Sequence, residues 1–166
     1  MNPEMVYKTL DELGITYEKY EHTATPTVED ALPYWAEIEA IHCKNLFFRN
    51  HKGNQHYLVI FSYLKQLNIR QLELLLKQGK LSFASDKRMQ KYLGLQPGSV
   101  SPFGLINDKE NHVIVFIDES LMDHEKISFH PNINTATLVL KKSDFIRFLD
   151  FSGNSYHFIQ FNDGIK

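Results

Sequence analysis

The sequence is short of cysteine, of long apolar runs and of the compact motifs that mark the commoner catalytic folds. Its one cysteine, Cys43, leaves no partner for an internal disulfide and fits a reducing compartment. No apolar stretch approaches the roughly 20 residues that a membrane-spanning helix requires. The opening Met1-Asn2-Pro3-Glu4-Met5-Val6-Tyr7-Lys8 lacks the basic start and apolar run of a secretion signal, so the expected location is the cytoplasm. No Gly-x-Ser-x-Gly elbow, Gly-Lys-Ser/Thr phosphate loop or Gly-x-Gly-x-x-Gly fingerprint occurs. None of the eight histidines forms His-x-x-x-His, and no cysteine or carboxylate cluster accompanies them. Neither a metal nor a cofactor is expected. Repeats, linkers and low-complexity tracts are also missing.

What is present is an ordinary globular composition, with 43% hydrophobic and 13% aromatic residues. A chain of 166 residues is most simply one domain, 1–166, large enough to bury a core without disulfides or metals. The net charge of −2 hides an asymmetry: residues 1–40 hold nine acids against Lys8 and Lys19, and the remainder carries an excess of five positive charges. Between Lys77 and Lys91 lie Lys77, Lys80, Lys87, Arg88 and Lys91 against Asp86 alone. Such a patch can engage phosphates; it can equally be a solvated helix face.

Val6, Leu10 and Leu13, ended by Gly14, predict a helix over residues 3–13, and Ile15 to Glu21 reads as a short strand. Thr27-Val28-Glu29-Asp30 has a capping-box pattern for a helix that Pro33 limits or bends. His42 to Asn50 and Gln55 to Ser62 are β-rich runs joined by a turn, a hairpin, with His51 and His56 expected in solvent beside it. Asn68 caps a helix through Gln78 that Gly79 ends. Leu81 to Ala84 is a strand, and Ser85 to Leu93 a helix ended by Gly94. The segment from Gly94 to Gly104 is too rich in turn formers for a regular element. Strands follow near His112 to Asp118, Lys126 to His130 and Thr135 to Leu140, then a helix from Ser143 to Asp150 and an edge strand from Tyr156 to Phe161. The pattern is an α+β fold, a mixed curved sheet with helices packed outside it.

Two residues stand out in this frame. Lys44 interrupts a run that continues as Leu46-Phe47-Phe48, in a strand expected at the centre of the sheet. It either snorkels to the sheet edge or reaches into a pocket, where it can bind a phosphate or stabilise a developing negative oxygen. His130 precedes Pro131, which ends strands, so its ring sits at a strand terminus and either reaches a site or caps the loop. Cys43, on the opposite face from Lys44, reads as a small buried hydrophobe.

Three segments in order give these residues a context. Cys43-Lys44-Asn45-Leu46-Phe47, Gly98-Ser99-Val100-Ser101-Pro102 and Phe129-His130-Pro131-Asn132-Ile133-Asn134-Thr135-Ala136-Thr137 resemble three motifs of the YbaK/ProX family of aminoacyl-tRNA editing domains. The third is similar to the signature of the free-standing prolyl-tRNA editing branch. The resemblance implies a mixed sheet curled into a partial barrel, and a trans-editing hydrolase acting on the ester of mischarged Ala-tRNA(Pro). Its implied site residues are Lys44 and His130, with Asn45, Gly98, Ser99, Val100, Ser101 and Pro102 holding substrate. The helix around Ala31 to Ile38 shapes access to the pocket, although Leu32-Pro33-Tyr34-Trp35 is bulkier than the family pattern. Lys80, Lys87, Arg88 and Lys91 are candidate acceptor-stem contacts. Implied partners are the acceptor end of mischarged tRNA(Pro) and prolyl-tRNA synthetase, with neither membrane nor DNA. Two alternatives stay open: a deacylase of Cys-tRNA(Pro) or another small aminoacyl ester, and a non-catalytic module that binds tRNA or a synthetase.

Overall fold

The computed structural model describes residues 3–160. Helix α1 (Glu4–Glu12) buries Val6, Thr9 and Leu10 along one face, the spacing an amphipathic helix requires. Strand β1 (Glu18–Glu21) is shorter than the run from Ile15, because Ile15 turns into the core while all four strand residues are exposed. Helix α2 (Val28–Trp35) starts at the capping box: the Thr27 hydroxyl accepts from the Asp30 amide and the Asp30 carboxylate from the Thr27 amide. Pro33 sits inside this helix, which ends two residues later; the missing N–H withholds one backbone bond near its end.

Strands β2 (Cys43–Asn50) and β3 (His56–Ser62) pair as an antiparallel hairpin, with Lys44 opposite Phe61 and Asn45 opposite Ile60. β3 is buried along its whole length, since both of its faces are covered. Helix α3 (Ile69–Leu76) is capped by the Asn68 side chain, which accepts from the Gln71 amide, but stops short of the expected Gln78. Lys77, not Gly79, takes the left-handed position at its end, with φ 56°. β4 (Leu81–Phe83) leads to helix α4 (Asp86–Leu93), capped by Ser85 and closed by Gly94. The glycine- and proline-rich segment is irregular only as far as Ser101; Pro102–Asn107 then forms a 3-10 helix, with proline at its first position where no amide is missed. The remaining elements are β5 (Ile114–Asp118), β6 (Lys126–Phe129), β7 (Ala136–Lys141), helix α5 (Lys142–Ser152) and β8 (Tyr156–Ile159). β8 ends before the expected Phe161, which lies outside the described residues.

The strands form two sheets, ordered β4-β2-β3-β5-β8 and β1-β7-β6. The larger is mixed: β2 pairs antiparallel with β3 and β4, whereas β3, β5 and β8 run parallel. The smaller is antiparallel. They meet at one parallel bridge, Ile41 with Ile127, and neither closes on itself. The mixed pairing is as expected, but in place of one sheet curled into a partial barrel there are two sheets that part from this bridge. The larger apolar core takes in Val6 of α1, Leu58 and Ile60 of β3, Leu138 of β7 and Phe145 and Phe148 of α5. A smaller core on the other face of the larger sheet packs Phe48, Tyr57 and Phe61 against Leu72 and Leu76 of α3. Side chains of β2 alternate between them: Cys43 and Phe47 enter the first, Leu46 and Phe48 the second.

Candidate functional site

The parting of the two sheets leaves part of one strand edge unpaired. β3 covers one edge of β2 from Cys43 to Arg49, whereas β4 covers the other only from Phe48 to Asn50. On that second edge, the Ala84 amide bonds the Phe47 carbonyl, and Ile41 bonds Lys126 and Ser128. Backbone groups of alternate residues point the same way in an antiparallel strand. Cys43 and Asn45 therefore turn their N–H and C=O groups toward the stretch between those anchors. A cavity of about 320 Å3 fills this stretch, the lower end of the range for small-ligand sites. Val28, Ala31 and Trp35 of α2 form one wall, spaced to share a helix face. Pro97, Gly98 and Val100 form another, and Phe83, Met89 and His130 complete it.

Lys44 lines the cavity and is half-buried. Its ammonium donates to the Lys65 carbonyl at 3.1 Å and stands 5.8 Å from the centre of the Phe61 ring. An ammonium has three donors, so this contact orients the group without using it up. Asn45 lies next along the strand, on the opposite face, and its Oδ1 is buried with no hydrogen bond from the described residues. Beside it, a second void of about 20 Å3 is bounded by Asn45, Ser128, His130 and Thr137 among others, room for one water with polar partners.

His130 follows β6 directly, at the strand end predicted for it. Its Nδ1 lies 2.9 Å from the Ala136 carbonyl. A carbonyl only accepts, so Nδ1 carries the hydrogen and Nε2 keeps a lone pair. Burial pushes the His130 pKa down; the Ala136 contact opposes this and His22 adds to it. Gly98 has φ +86°, and a Cβ there would come within 3.1 Å of Pro26 Cα and 3.2 Å of the Pro26 carbonyl. Glycine thus permits both the turn and the close approach of this loop to the chain ahead of α2.

The cavity brings together Lys44, Asn45, Gly98, Val100 and His130, but not the whole of the loop. Ser99 is buried, with its amide on the Gln96 carbonyl. Ser101 caps the 3-10 helix by accepting from the Phe103 amide, and Pro102 begins that helix. Lys80, Lys87 and Lys91 are exposed. Arg88 instead turns inward, donating to the Gly53 carbonyl and to His56 Nε2. His51 is in solvent, but His56 is fully buried, against the expectation for a residue beside the hairpin turn. It shares the face of Leu58 and Ile60 and packs between Phe47 and Tyr92. Cys43 is buried, and burial pushes its thiol well up, with the Asp118 carboxylate adding to the effect. It is a poor nucleophile for that reason. Among the described residues, no three histidine, cysteine or acidic side chains gather to hold a metal ion.

Further residues around the site hold positions that the sequence did not assign one by one. Trp35 lines the cavity while stacking on His42, with ring centroids 4.7 Å apart. Leu32 and Pro33, the bulky neighbours expected to narrow the pocket, point outward. Thr25 bonds the Asn134 carbonyl through both its amide and its hydroxyl. Asn132, at φ 65°, donates to the Phe103 carbonyl. The His-Pro-Asn-x-Asn segment is thus tied to the 3-10 helix through the Asn132 side chain and to the cavity residue Thr25 through the Asn134 backbone. His22 Nε2 meets the Thr137 hydroxyl at 2.9 Å, and the ring lies edge-on to His130.

Residues 22–148 match the family model of the aminoacyl-tRNA editing domain. The chain is 39% identical over 157 residues to the prolyl-tRNA editing protein ProX of Acetoanaerobium sticklandii, covering 95% of this chain and 96% of that one. It is 31% identical to the prolyl-tRNA synthetase associated domain-containing protein 1 of Mus musculus, covering 92% of each. Among solved structures, a candidate trans-editing enzyme for prolyl tRNA synthetase superposes with a TM-score of 0.71 at 18% identity, over 96% of this chain and 97% of the other. At that identity the likeness speaks to the fold. No helix among the described residues is long and apolar enough to cross a membrane.

Proposed function

The chain belongs to the aminoacyl-tRNA editing domain family, and on that premise we propose that it is a trans-editing deacylase that hydrolyses the ester of Ala-tRNA(Pro). The observation that carries the reading is the single cavity on the open edge of β2, which Lys44, Asn45, Gly98 and His130 all line. A synthetase pocket built for proline rejects the smaller alanine weakly, because a missing methylene is worth only about 1–3 kcal/mol. A second site that admits the smaller acyl group and hydrolyses it restores the accuracy.

The chain's own groups suit hydrolysis by water better than attack by a side chain. The Cys43 thiol is held protonated by burial, and the Thr27 hydroxyl at the cavity is committed to the α2 capping box, where it donates to the Asp30 carboxylate. The Lys44 ammonium, already aimed by the Lys65 carbonyl, supplies positive charge at the terminal phosphate or the reacting carbonyl, where oxygen gains charge in the transition state. His130 Nε2, left as an acceptor by the Ala136 contact, orients the attacking water or the substrate's amino group. Asn45 Oδ1 lacks a donor among the described residues, so it selects a donor on the substrate or a water. The Gly98 loop allows the aminoacyl group to approach the backbone closely. An ester is already activated, and positioning of this kind supplies much of what its hydrolysis needs.

The test charges tRNA(Pro) separately with alanine, cysteine, serine and proline and follows the loss of each ester. Fast loss of the alanyl ester, with the prolyl ester spared, is expected. In Lys44→Ala the rate should fall at least a hundredfold, the scale for removing one group that stabilises the oxyanion. A Lys44→Ala protein working at the wild-type rate would remove the core of the proposal.

A further inference from the structure

The cavity rim carries an aromatic ring that the chain covers on one face only. Phe83, the last residue of β4, lines the cavity yet is 53% exposed. Its other face lies on Phe48, with centroids 4.7 Å apart and planes 27° from parallel. The strand's own packing needs do not explain this ring, because Leu81 is the residue that β4 buries. Directly paired residues share a sheet face, and Phe83 pairs with Phe48. Phe83 therefore stands on the same face of β2 as Leu46 and Lys44, with Lys44 four residues further along, about 13 Å at strand spacing. Exposed Lys80 precedes β4, and exposed Lys87 follows it at the start of α4.

Resting on the deacylase reading, we infer that the Phe83 ring is the stacking platform for the terminal base of the RNA 3′ end whose acylated ribose enters the cavity. A flat ring braced on a second ring offers a base an apolar face at little ordering cost, and such stacking needs no hydrogen-bond code. Lys80 and Lys87 bring to the same rim the charge that a phosphate backbone requires. The order along β2 then matches the substrate: base at Phe83, ester at the open edge beside Asn45, and Lys44 at the far side of the reacting group. A stacked terminal base fixes where the ribose lies before any chemistry occurs.

The experiment uses the full chain and a short RNA ending in CCA, with 2-aminopurine in place of the terminal adenine so that stacking quenches its fluorescence. The wild type should quench on binding. Phe83→Ala should lose the quench and weaken binding about tenfold, within the range found when a stacking ring is removed. Phe83→Trp should keep both, whereas Phe83→Leu, apolar but without a π face, should not. RNA with an abasic 3′ terminus should lose the same factor on the wild type and nothing further on Phe83→Ala. Equal quenching and affinity in Phe83→Ala overturns the inference. So does wild-type affinity in Phe83→Leu, which would make the ring a generic apolar contact of the kind another protein covers. Ester hydrolysis is measured separately. Deacylation with Phe83-independent binding overturns the platform and leaves the function standing. Phe83-dependent quenching without hydrolysis of any ester does the reverse.

Discussion

The Lys44 ammonium is held by the Lys65 carbonyl, and the Lys65 side chain is in turn held by Asp118 at 2.9 Å. Asp118 is 1% exposed and also accepts from the Ser62 and Ser120 amides. A carboxylate that does not touch the cavity thus fixes the turn that aims its lysine. Asp118→Ala should cost about 3 kcal/mol of stability, the scale for breaking a buried ion pair, measured by urea denaturation. Deacylation should fall further than the unfolded fraction accounts for, because Lys44 loses its aim. Gly98→Ala should cost about 1–3 kcal/mol for an alanine held at positive φ, and its Cβ should push Pro26 away from the cavity. Wild-type stability in that variant would show that the loop relaxes freely. Lys44 was legible in the sequence as a charge interrupting an apolar run, and Gly98 as part of a loop motif. Arg88 was not, since a count of charges does not say which way a side chain turns. His56 was legible in principle, because strand alternation places it with Leu58 and Ile60, but its nearness to the turn suggested solvent.

At the scale of elements, α2 forms one wall of the cavity. Its Val28, Ala31 and Trp35 face inward while Leu32 and Pro33 face solvent, so the bulk of Leu32-Pro33 does not bear on pocket size. The indole is wedged by its stack on His42 and its edge contact with Tyr63. Trp35→Ala should widen the cavity, raise hydrolysis of prolyl-tRNA relative to alanyl-tRNA, and cost about 3–5 kcal/mol or less, the indole being only partly buried. Unchanged selectivity in a folded Trp35→Ala protein would take size exclusion away from this wall. The helix starts were legible because a cap is a local event: Thr27, Asn68 and Ser85 each accept from the backbone amide three residues on. The division into two sheets was not, because no local pattern says that β6 leaves β2 after one bridge. The 3-10 helix from Pro102 was hidden by the turn formers around it.

Across the whole molecule, the buried His42 and His56 and the half-buried His130 tie neighbouring elements together. His42 joins α2, through Trp35, to β6, through Ser128. His56 joins the β2–β3 hairpin to α4 through Arg88 and to the chain entering β5 through His112. His130 closes the turn between β6 and β7. Burial is the leading cause of the lowered pKa in each; His42 and His56 are both pushed down to about 4. For His56, Arg88 can only donate, so Nε2 must stay unprotonated to accept and Nδ1 gives its hydrogen to His112. A histidine whose folded pKa is depressed binds its proton more readily when unfolded, so its stabilising contribution is intact above about 6.5 and is lost as pH falls toward about 4. His42 and His56 each contribute a slope of about 1.4 kcal/mol per pH unit within that window. Denaturation at pH 7.5, 6 and 5 should therefore show stability falling with acid at a slope of about two protons below pH 6. His56→Gln should lower stability at pH 7.5 yet flatten the acid slope by about one proton, while His51→Gln, in solvent, should change neither. A slope in His56→Gln equal to that of the wild type would place the proton uptake elsewhere in the fold.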